Sequence, residues 1–254
     1  MLQGPGDRTT EDVSEPEPPA PASVLSVHAH PDDQEHTVSG TLVKWARSGS
    51  AVVSVCITSG GAGSNEFTPP DMTREALATL REDEQRNACR VQGIREVVFL
   101  RYPDGMLEPT IALRRDLTRV IRRYRPEAVV CGDPTMRFYG NGYINHPDHR
   151  AASDATLDAV FPSAGTRLIF PELLDEGLMP HEVKSVFIFG SRHADTFVDI
   201  ADTLAVKLAA LKEHRSQMGT WDPTEMITGW AREQGARKGL EAAEAFRHMR
   251  LNDS

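Results

Sequence analysis

The chain has few of the features that mark secreted or membrane-spanning proteins. It contains only three cysteines, Cys56, Cys89 and Cys131, which are far apart, odd in number and set in apolar sequence. Neither a disulfide framework nor a CxxC zinc site is indicated, so we expect buried thiols in a reducing compartment. No apolar stretch approaches the roughly 18 residues of a membrane span, and the N-terminus lacks the basic and apolar regions of a signal peptide. These absences predict a soluble, cytoplasmic protein that contacts no membrane.

Basic charge is also scarce. The formal net charge is −9, with 28 Lys and Arg residues against 37 Asp and Glu residues. A protein that binds nucleic acid needs a concentrated basic face for its phosphate contacts, so we expect no nucleic-acid partner.

Large apolar side chains are nearly missing from residues 1–22, which are rich in Pro, Glu, Asp and Thr. Such a segment buries too little to offset the entropy of ordering, so a disordered or extended tail is predicted. Residues 23–250 contain no internal repeat and no linker, and we expect them to form a single domain. Whether copies of the chain associate into a homo-oligomer stays open.

From residue 23 onward, segments typical of buried strands alternate with segments typical of helices. This alternation predicts an α/β fold with a doubly wound, mainly parallel, Rossmann-like sheet, helices on both of its faces and a helical C-terminal portion. Strands are predicted at 24–27, 51–58, 97–100, 128–131, 183–189 and 197–200, and helices at 38–48, 73–92, 111–124, 148–160, 202–217 and 224 to about 249.

Polar, turn-forming residues follow the first four predicted strands. They are His28-Ala29-His30-Pro31-Asp32-Asp33-Gln34-Glu35-His36, the glycine-rich Thr58–Gly63, Tyr102-Pro103-Asp104-Gly105 and, past a loop, Asn145-His146-Pro147-Asp148-His149. In sheets of this kind ligands bind beyond the carboxyl ends of the strands. The four segments therefore predict a site at that edge.

Histidines and carboxylates dominate this predicted site. His146 and His149 are three residues apart at the start of a helix, so they can share one face. With His30 and a carboxylate from Asp32-Asp33, they give the composition of a hydrolytic zinc centre, where an open position holds a water of lowered pKa. Zinc is the favoured metal, although the same ligands accept other divalent ions.

Adjacent carboxylates rarely point at the same atom, which suggests separate roles. If Asp33 ligates the metal, Asp32 is free to act as the general base. His146, held by Asp148 or another acceptor, can stay cationic and stabilise the oxyanion of a tetrahedral intermediate.

The run His30-Pro31-Asp32-Asp33, followed later by His146-Pro147-Asp148-His149, resembles the LmbE-like or PIG-L family of zinc-dependent N-deacetylases. These enzymes act mainly on molecules that contain N-acetylglucosamine. The resemblance extends from Val24 to roughly Gln217 and includes Arg81-Glu82-Asp83-Glu84, the Asp104-Gly105 turn and Phe170-Pro171-Glu172.

Carried over position by position, the resemblance implies a role for seven residues. The metal ligands would be His30, Asp33 and His149, and the general base would be Asp32. His146 would stabilise the oxyanion, with Asp148 as its partner. Arg81 would contact the substrate or the oxyanion, and Arg74 and Arg86 are alternatives to it on the same helix. The chain departs from the family in two places, where Gln34 stands for the usual glutamate and Ile144 for a tyrosine that Tyr143 or Tyr139 can replace.

Several residues near the motifs keep more than one interpretation. His28 is an alternative ligand or a packing residue, and His36 is expected to line or orient the site. Asp104 and Asp133 are turn formers, substrate-binding residues or supports of the ligands. The glycines of Gly60–Gly63 admit a sugar or simply make the turn. Four further residues have two possible roles, either core packing or a subunit contact on the one hand, or a wall on which a sugar stacks on the other. They are Met218, Trp221, Met226 and Trp230.

The favoured function is a metal-dependent hydrolase that removes acetyl from an N-acetylated amino sugar or its conjugate, a small-molecule substrate. One alternative keeps the site but changes the bond to another N-acyl amide. Another, from a different class, is a non-catalytic sugar-binding domain.

Overall fold

A computed structural model describes residues 17–251, and strands and helices alternate along them as predicted. The strands are β1 (Ser23–His28), β2 (Ala51–Thr58), β3 (Glu96–Tyr102), β4 (Ala128–Gly132), β5 (Phe138–Tyr139), β6 (Tyr143–Ile144), β7 (Ser185–Phe189), β8 (Thr196–Asp199) and β9 (Ala243–Arg250). The helices are α1 (Asp33–Thr37), α2 (Ser39–Arg47), α3 (Arg74–Gln92), α4 (Ile111–Tyr124), α5 (Pro147–Asp158), α6 (Glu172–Asp175), α7 (Leu204–Leu211), α8 (Arg215–Met218) and α9 (Thr224–Ala236).

Most of the predicted tail, residues 1–16, lies outside the described part of the chain. Residues 17–22 are attached to the fold at both ends. Glu17 pairs with Lys44 at 2.7 Å, and the backbone N–H of Ala22 donates to Glu127 at 2.7 Å.

Seven strands form one sheet in the order β3-β2-β1-β4-β7-β9-β8. The pairs among β3, β2, β1, β4 and β7 are parallel, and β9 runs antiparallel to both β7 and β8. The chain winds outward from β1 to β3 and then returns to place β4 on the other side of β1. The strand order thus reverses between β1 and β4, and such a reversal opens a crevice at the carboxyl ends of the two strands.

Helices cover both faces of this sheet and bury two apolar clusters. On one face Leu25 and Val27 of β1 pack with Leu113, Leu117 and Ile121 of α4, all of them fully or almost fully buried. On the other face the cluster includes Val24, Leu42, Trp45, Phe187 and Phe246. Each such side chain contributes about 1.5–3 kcal/mol through its removal from water. The carboxyl ends of β1 and β4 therefore belong to a sheet that is packed on both faces.

The three cysteines are buried and free, as expected. Burial raises the pKa of both the Cys89 and the Cys131 thiols to about 12, so neither forms a reactive thiolate near neutral pH. Within residues 17–251 no helix has both the length and the apolar character needed to cross a membrane.

Local capping explains why the long helices begin and end where the sequence predicts. The side chain of Thr73 accepts the N–H of Ala76 at the start of α3, and Gly93 ends that helix with φ 79°. Thr110 caps α4 in the same way. These are local interactions, which sequence patterns report directly.

The predicted helix from 224 to about 249 is wrong beyond Ala236. There α9 ends, and the next regular element is the strand β9. Ala, Glu and Arg favour a helix in this segment, but β9 fills the gap between β7 and β8 and buries Phe246 completely. Tertiary pairing has overridden the local preference.

Two other helix predictions differ in length. The segment 202–217 is divided into α7 and α8, and α5 ends at Asp158, where a π-helical turn, Ala159–Ala164, follows.

Candidate metal centre

The two histidine motifs meet at the crevice between β1 and β4. His30 lies two residues after the end of β1, and Asp33 is the first residue of α1. His149 lies in the first turn of α5, which Pro147 begins, and the ring of His146 caps this helix by accepting the N–H of Asp148. A turn and a helix start thus bring together residues that are distant in sequence.

Three candidate ligand side chains from these motifs lie close together. His30 Nδ1 is 3.2 Å from His149 Nε2 and 3.4 Å from Asp33 Oδ2, while Asp33 Oδ1 is 3.1 Å from His149 Nε2. Ligands held about 2.0–2.1 Å from a zinc ion at the corners of a tetrahedron are about 3.3 Å apart. Two imidazole nitrogens and one carboxylate at this spacing fit a single divalent cation.

Two buried carboxylates orient the ring of His30. Its Nε2 lies 3.1 Å from Asp104 Oδ1 and 3.3 Å from Asp148 Oδ2, which leaves Nδ1 facing Asp33 and His149. Burial lowers the pKa of His30, but Asp33, Asp104 and Asp148 outweigh it and hold that pKa well above its usual value. A carboxylate behind a ligating histidine is the usual device that fixes its ring.

Backbone N–H groups hold these two supporting carboxylates in turn. Asp148 accepts from Gly105 at 2.8 Å and from Leu107 at 3.2 Å, and Asp104 accepts from Ala62 at 2.6 Å. Asp104 therefore contacts His30. Its predicted substrate contact stays a prediction.

The other two ligand candidates are also fixed by neighbours. His149 Nδ1 lies 3.2 Å from Asn145 Oδ1, so Nε2 is free to face Asp33 and His30. Burial raises the pKa of Asp33, but His149 and His30 outweigh it and hold that pKa well below its usual value. Asn145 is a supporting residue that the sequence reasoning did not single out, and it contacts His149 from the position just before the N-cap of α5.

Asp32, next to the candidate ligand Asp33, has a different set of contacts. Its backbone is left-handed, with φ 91°, and its N–H donates to Gln85 Oε1 at 2.9 Å. Its carboxylate accepts from Arg81 Nη2 at 3.1 Å, and the same nitrogen donates to the carbonyl of Pro31 at 2.6 Å. Arg81 and Gln85 lie four residues apart on α3, so one helix face fixes both the backbone and the side chain of Asp32.

The structure separates the three arginines of α3. Arg81 is 4% exposed and also donates to the carbonyl of Gly60 at 2.9 Å. Arg74 donates to the carbonyl of Asp104, and Arg86 pairs with Glu82 and Asp83. Among the three, Arg81 alone contacts Asp32.

The glycine-rich loop after β2 makes room for Arg81. A Cβ atom at Gly60 or at Gly63 would collide with the Arg81 guanidinium. This contact accounts for both glycines without a sugar.

The ring of His146 lies beside those of His30 and His149, with centroids 4.9 and 5.3 Å away, and its side chain is 41% exposed. Its Nδ1 accepts the Asp148 N–H at 3.1 Å, so the ring proton is on Nε2. Burial, with a further contribution from His30, lowers its pKa, which opposes the expected cationic state. The Asp148 carboxylate is 3.8 Å from His146 Nδ1 and lies closer to His30, so its predicted partnership with His146 is the looser contact.

The remaining histidines of the first motif stand apart from the ligand cluster. His28 Nε2 lies 2.8 Å from Ser26 Oγ, its ring stacks on Phe189, and burial lowers its pKa to about 4. It therefore has the packing role. His36 lines a cavity beside the site, as expected.

That cavity has a volume of about 990 Å³ and begins at Asp33 and His149. Beyond them it is bordered by the β5–β6 hairpin and by α9. The candidate ligands thus open onto a space large enough for a small organic molecule.

The chain is similar to a known protein family and to several known deacetylases. A family model described as "PIG-L: GlcNAc-PI de-N-acetylase" matches residues 25–160. Diacetylchitobiose deacetylase of Thermococcus kodakarensis is 32% identical over 231 residues, covering 89% of this chain and 82% of that protein. The 1D-myo-inositol 2-acetamido-2-deoxy-alpha-D-glucopyranoside deacetylase of Actinosynnema mirum is 28% identical, covering 80% of this chain and 83% of that protein.

Among solved structures, N,N'-diacetylchitobiose deacetylase from Pyrococcus horikoshii in complex with its inhibitor MPG superposes with a TM-score of 0.81. The two chains are 29% identical, and the match covers 91% of this chain and 84% of the other.

Proposed function

The chain belongs to the PIG-L, or LmbE-like, family, and we propose that it is a zinc-dependent deacetylase that removes acetyl from an N-acetylated amino sugar or its conjugate. The relatives described above are named as deacetylases of N-acetylated sugars, and this chain matches them over most of its length. Its substrate is then a small molecule. Its free, buried thiols favour a cytoplasmic location.

The observation that carries this proposal is the convergence of His30 Nδ1, Asp33 and His149 Nε2, with Asp32, the residue before Asp33, held by Arg81. These three side chains would hold the ion. When bound, a zinc ion supplies Lewis-acid chemistry, which polarises an amide carbonyl and lowers the pKa of water.

The chain's own residues supply the proton transfers. Asp32 is the group that takes a proton from the attacking water, because it adjoins the candidate ligand Asp33 in the chain while its carboxylate pairs with Arg81, outside the cluster. As the amide C–N bond breaks, the leaving amine needs a proton, and protonated Asp32 returns it. Acetate and a free amino sugar are the products.

His146 is placed to stabilise negative charge on the amide oxygen. Its Nε2–H is the free donor of a neutral ring, so it donates a hydrogen bond to the developing oxyanion. A neutral donor serves this purpose because the ligand side of the site supplies the positive charge.

Arg81 and Asp104 act in this proposal through other residues. The two terminal nitrogens of Arg81 are engaged with Gly60, Pro31 and Asp32, so it fixes the base. Asp104 acts by orienting His30.

Acetate release tests the proposal. Purified protein is incubated with a panel of N-acetylglucosamine derivatives, before and after chelation and after addition of zinc or another divalent ion. We expect release from the sugars, its loss on chelation and its recovery with zinc.

Three results would contradict it. Full release by protein that elemental analysis shows to be metal-free would remove the metal from the reaction. Release confined to a parallel panel of N-acyl amino acids would favour the other amide substrate. Sugar binding by metal-loaded protein without any release would favour a binding domain.

A further inference from the structure

A second cluster of polar side chains is buried next to the first histidine motif. At its centre is Glu35, which is 0% exposed and belongs to α1, the short helix that Asp33 begins. The proton transfers proposed above do not use Glu35. A buried carboxylate is costly unless it is paired and hydrogen-bonded, so its partners indicate which groups it orients.

The side chains around Glu35 direct donors at it. Its oxygens accept from the side-chain amides of Gln34 at 3.2 Å, of Gln85 at 3.1 and 3.3 Å, and of Gln92. His214 Nε2 lies 3.1 Å from Oε2, and neither side chain of this ion pair is exposed. Because an ionised carboxylate only accepts hydrogen bonds, each of these amides turns its NH2 group toward Glu35.

For Gln85 this orientation has a second effect. With its NH2 group on Glu35, its oxygen Oε1 is left to accept the backbone N–H of Asp32, at 2.9 Å. If the amide turned around, its NH2 group would face that N–H and its oxygen would face the carboxylate, so both contacts would be repulsive. Glu35 therefore fixes the direction of the hydrogen bond that holds Asp32.

The backbone of Asp32 needs such a bond. Asp32 is the N-cap of α1, and its φ is 91°. A left-handed backbone is strained in a residue with a side chain, and it persists where the surrounding structure holds it. An N–H at the start of a helix has no partner within that helix, and Gln85 supplies one. Loss of this bond would let φ change, and the carboxylate of Asp32 would move with the backbone.

His214, the ion-pair partner of Glu35, comes from a segment that is itself attached to α3. It is the N-cap of α8, and Ser216 of α8 donates to Glu84 through its N–H at 2.7 Å and its hydroxyl at 2.6 Å. Glu84 precedes Gln85 in α3. The same helix therefore carries Gln85 and fixes the segment from which His214 reaches Glu35.

We propose that Gln85 is a positioning residue for the proposed general base. It holds the backbone of Asp32, and Glu35, paired with His214, sets the direction of its amide. This inference rests on the proposed deacetylase function, since Gln85 affects the reaction only through Asp32.

Gln92 offers a matched control on the same helix. It is 3% exposed, and its amide donates to the same carboxylate, but its Oε1 accepts from Gln34, whereas that of Gln85 accepts from Asp32. Methionine at either position keeps a long, unbranched side chain and removes the amide. The two variants thus take one donor each from Glu35, and Gln85→Met alone frees the N–H of Asp32.

The kinetic test uses zinc-loaded protein and the N-acetylglucosamine derivative that the wild type cleaves fastest. Gln85→Met should lower kcat about tenfold and leave KM within about twofold, because a small displacement of a reacting group affects the chemical step. Bound metal should stay near one ion per chain. Gln92→Met should keep kcat within about threefold of the wild type.

A double-mutant cycle with Asp32→Asn tests whether Gln85 acts through Asp32. In that background Gln85→Met should lower kcat less than about twofold, because residues that act as a unit are not additive. A general loss of packing would instead lower kcat equally in both backgrounds, which would overturn the inference.

Hydrogen exchange of the Asp32 N–H, followed by NMR, separates failure of this inference from failure of the proposed function. Exchange should be about tenfold faster in Gln85→Met than in the wild type, because the N–H loses its acceptor, and Gln92→Met should match the wild type. This pattern in a wild type that releases no acetate would overturn the deacetylase and support the role of Gln85 in holding Asp32.

Two outcomes would overturn the positioning role while the deacetylase stands. One is acetate release by folded Gln85→Met at the wild-type kcat, and the other is an equal fall in kcat in Gln85→Met and Gln92→Met.

If circular dichroism shows that Gln85→Met does not fold, Glu35→Gln takes its place. This variant keeps the shape of the side chain, but its amide both donates and accepts, so the amide of Gln85 is free to turn. It should lower kcat and speed exchange at Asp32 in the same way. Wild-type values of both quantities would overturn the inference.

Discussion

Asp32 and Asp33 are adjacent in the sequence, but their carboxylates have different neighbours. Asp33 lies 3.1 Å from His149, whereas Asp32 lies 3.1 Å from Arg81. The left-handed backbone at Asp32, with φ 91°, turns the chain between them. Asp and Asn tolerate positive φ better than other residues with a side chain, so this turn favours one of the two.

Because Asn tolerates the same backbone, Asp32→Asn removes the proposed general base without disturbing the turn. We expect kcat to fall by about 10²–10⁴, the usual contribution of a general base, and bound metal to stay near one ion per chain. Steady-state kinetics and elemental analysis measure the two quantities. Wild-type turnover would show that Asp32 is not the base.

His149→Ala is the companion variant, because it removes a proposed ligand. It should lose both activity and bound metal. Metal content equal to that of the wild type would exclude His149 from the ligand set.

For the individual site residues, the sequence predicted which ones lie close together but not how each side chain is oriented. The two motifs and their place after strand ends brought His30, Asp33 and His149 together. The choice of His30 Nδ1 over Nε2 depends on Asp104 and Asp148, and the neutral ring of His146 depends on its capping bond. Such choices follow from side-chain packing, which no local pattern reports.

A helix or strand was predicted correctly where interactions between residues close in sequence define it, and was missed where its partners are distant in sequence. The helix α4 was predicted from Ile111 to Tyr124, as observed, because Thr110 and Pro126 delimit it locally. The strand β9 was missed because its partners β7 and β8 lie earlier in the chain and its composition favours a helix.

Glu82 of α3 joins three elements through one carboxylate. Its oxygens accept from Arg101 of β3 at 2.8 Å, from Ser59 after β2 at 2.7 Å and from Arg86 at 2.9 Å. Burial raises the pKa of Glu82, but these hydrogen bonds outweigh it and lower the pKa from 4.5 to about 2.

A carboxylate whose pKa is lower in the folded than in the unfolded chain stabilises the fold at pH values above its unfolded pKa. This stabilisation is lost as the pH falls toward its folded pKa. We expect Glu82→Gln to lower the unfolding free energy at pH 7 by about 2 kcal/mol, a figure reduced because Arg101 is exposed. Urea unfolding of both proteins at pH 7, 5 and 3.5 should show this difference shrinking below pH 4.5. A difference independent of pH would mean that the cost is one of packing.

For the molecule as a whole, Glu244 of β9 connects the C-terminal region to the helix that follows the first motif. Its oxygens accept the N–H groups of Gly40 at 3.0 Å and Thr41 at 2.7 Å at the start of α2, and Lys207 of α7 donates to it at 2.6 Å. Lys207 is 3% exposed and Glu244 is 5% exposed. The anion thus occupies the positive end of α2, where helix dipoles favour it.

Glu244→Ala should lower the unfolding free energy by about 3–5 kcal/mol, because the buried Lys207 would lose its ion-pair partner and keep its hydrogen bond to the carbonyl of Thr37. Glu244→Gln keeps an oxygen for one of the N–H groups and should lose less. Urea unfolding measures both. A loss below 1 kcal/mol in Glu244→Ala would show that the ion pair contributes little.

The position of β9 late in the chain also determines when two other strands gain a partner during synthesis. Within residues 17–251, β8 pairs with β9 and with no other strand, and β9 is the last strand in the chain order. At about 5–20 residues per second, a ribosome needs a few seconds to proceed from β8 to β9. During that interval the edge of β7 is uncovered and β8 has no backbone partner, so we expect the nascent chain to carry unpaired strand edges, an aggregation hazard, after both histidine motifs have been made.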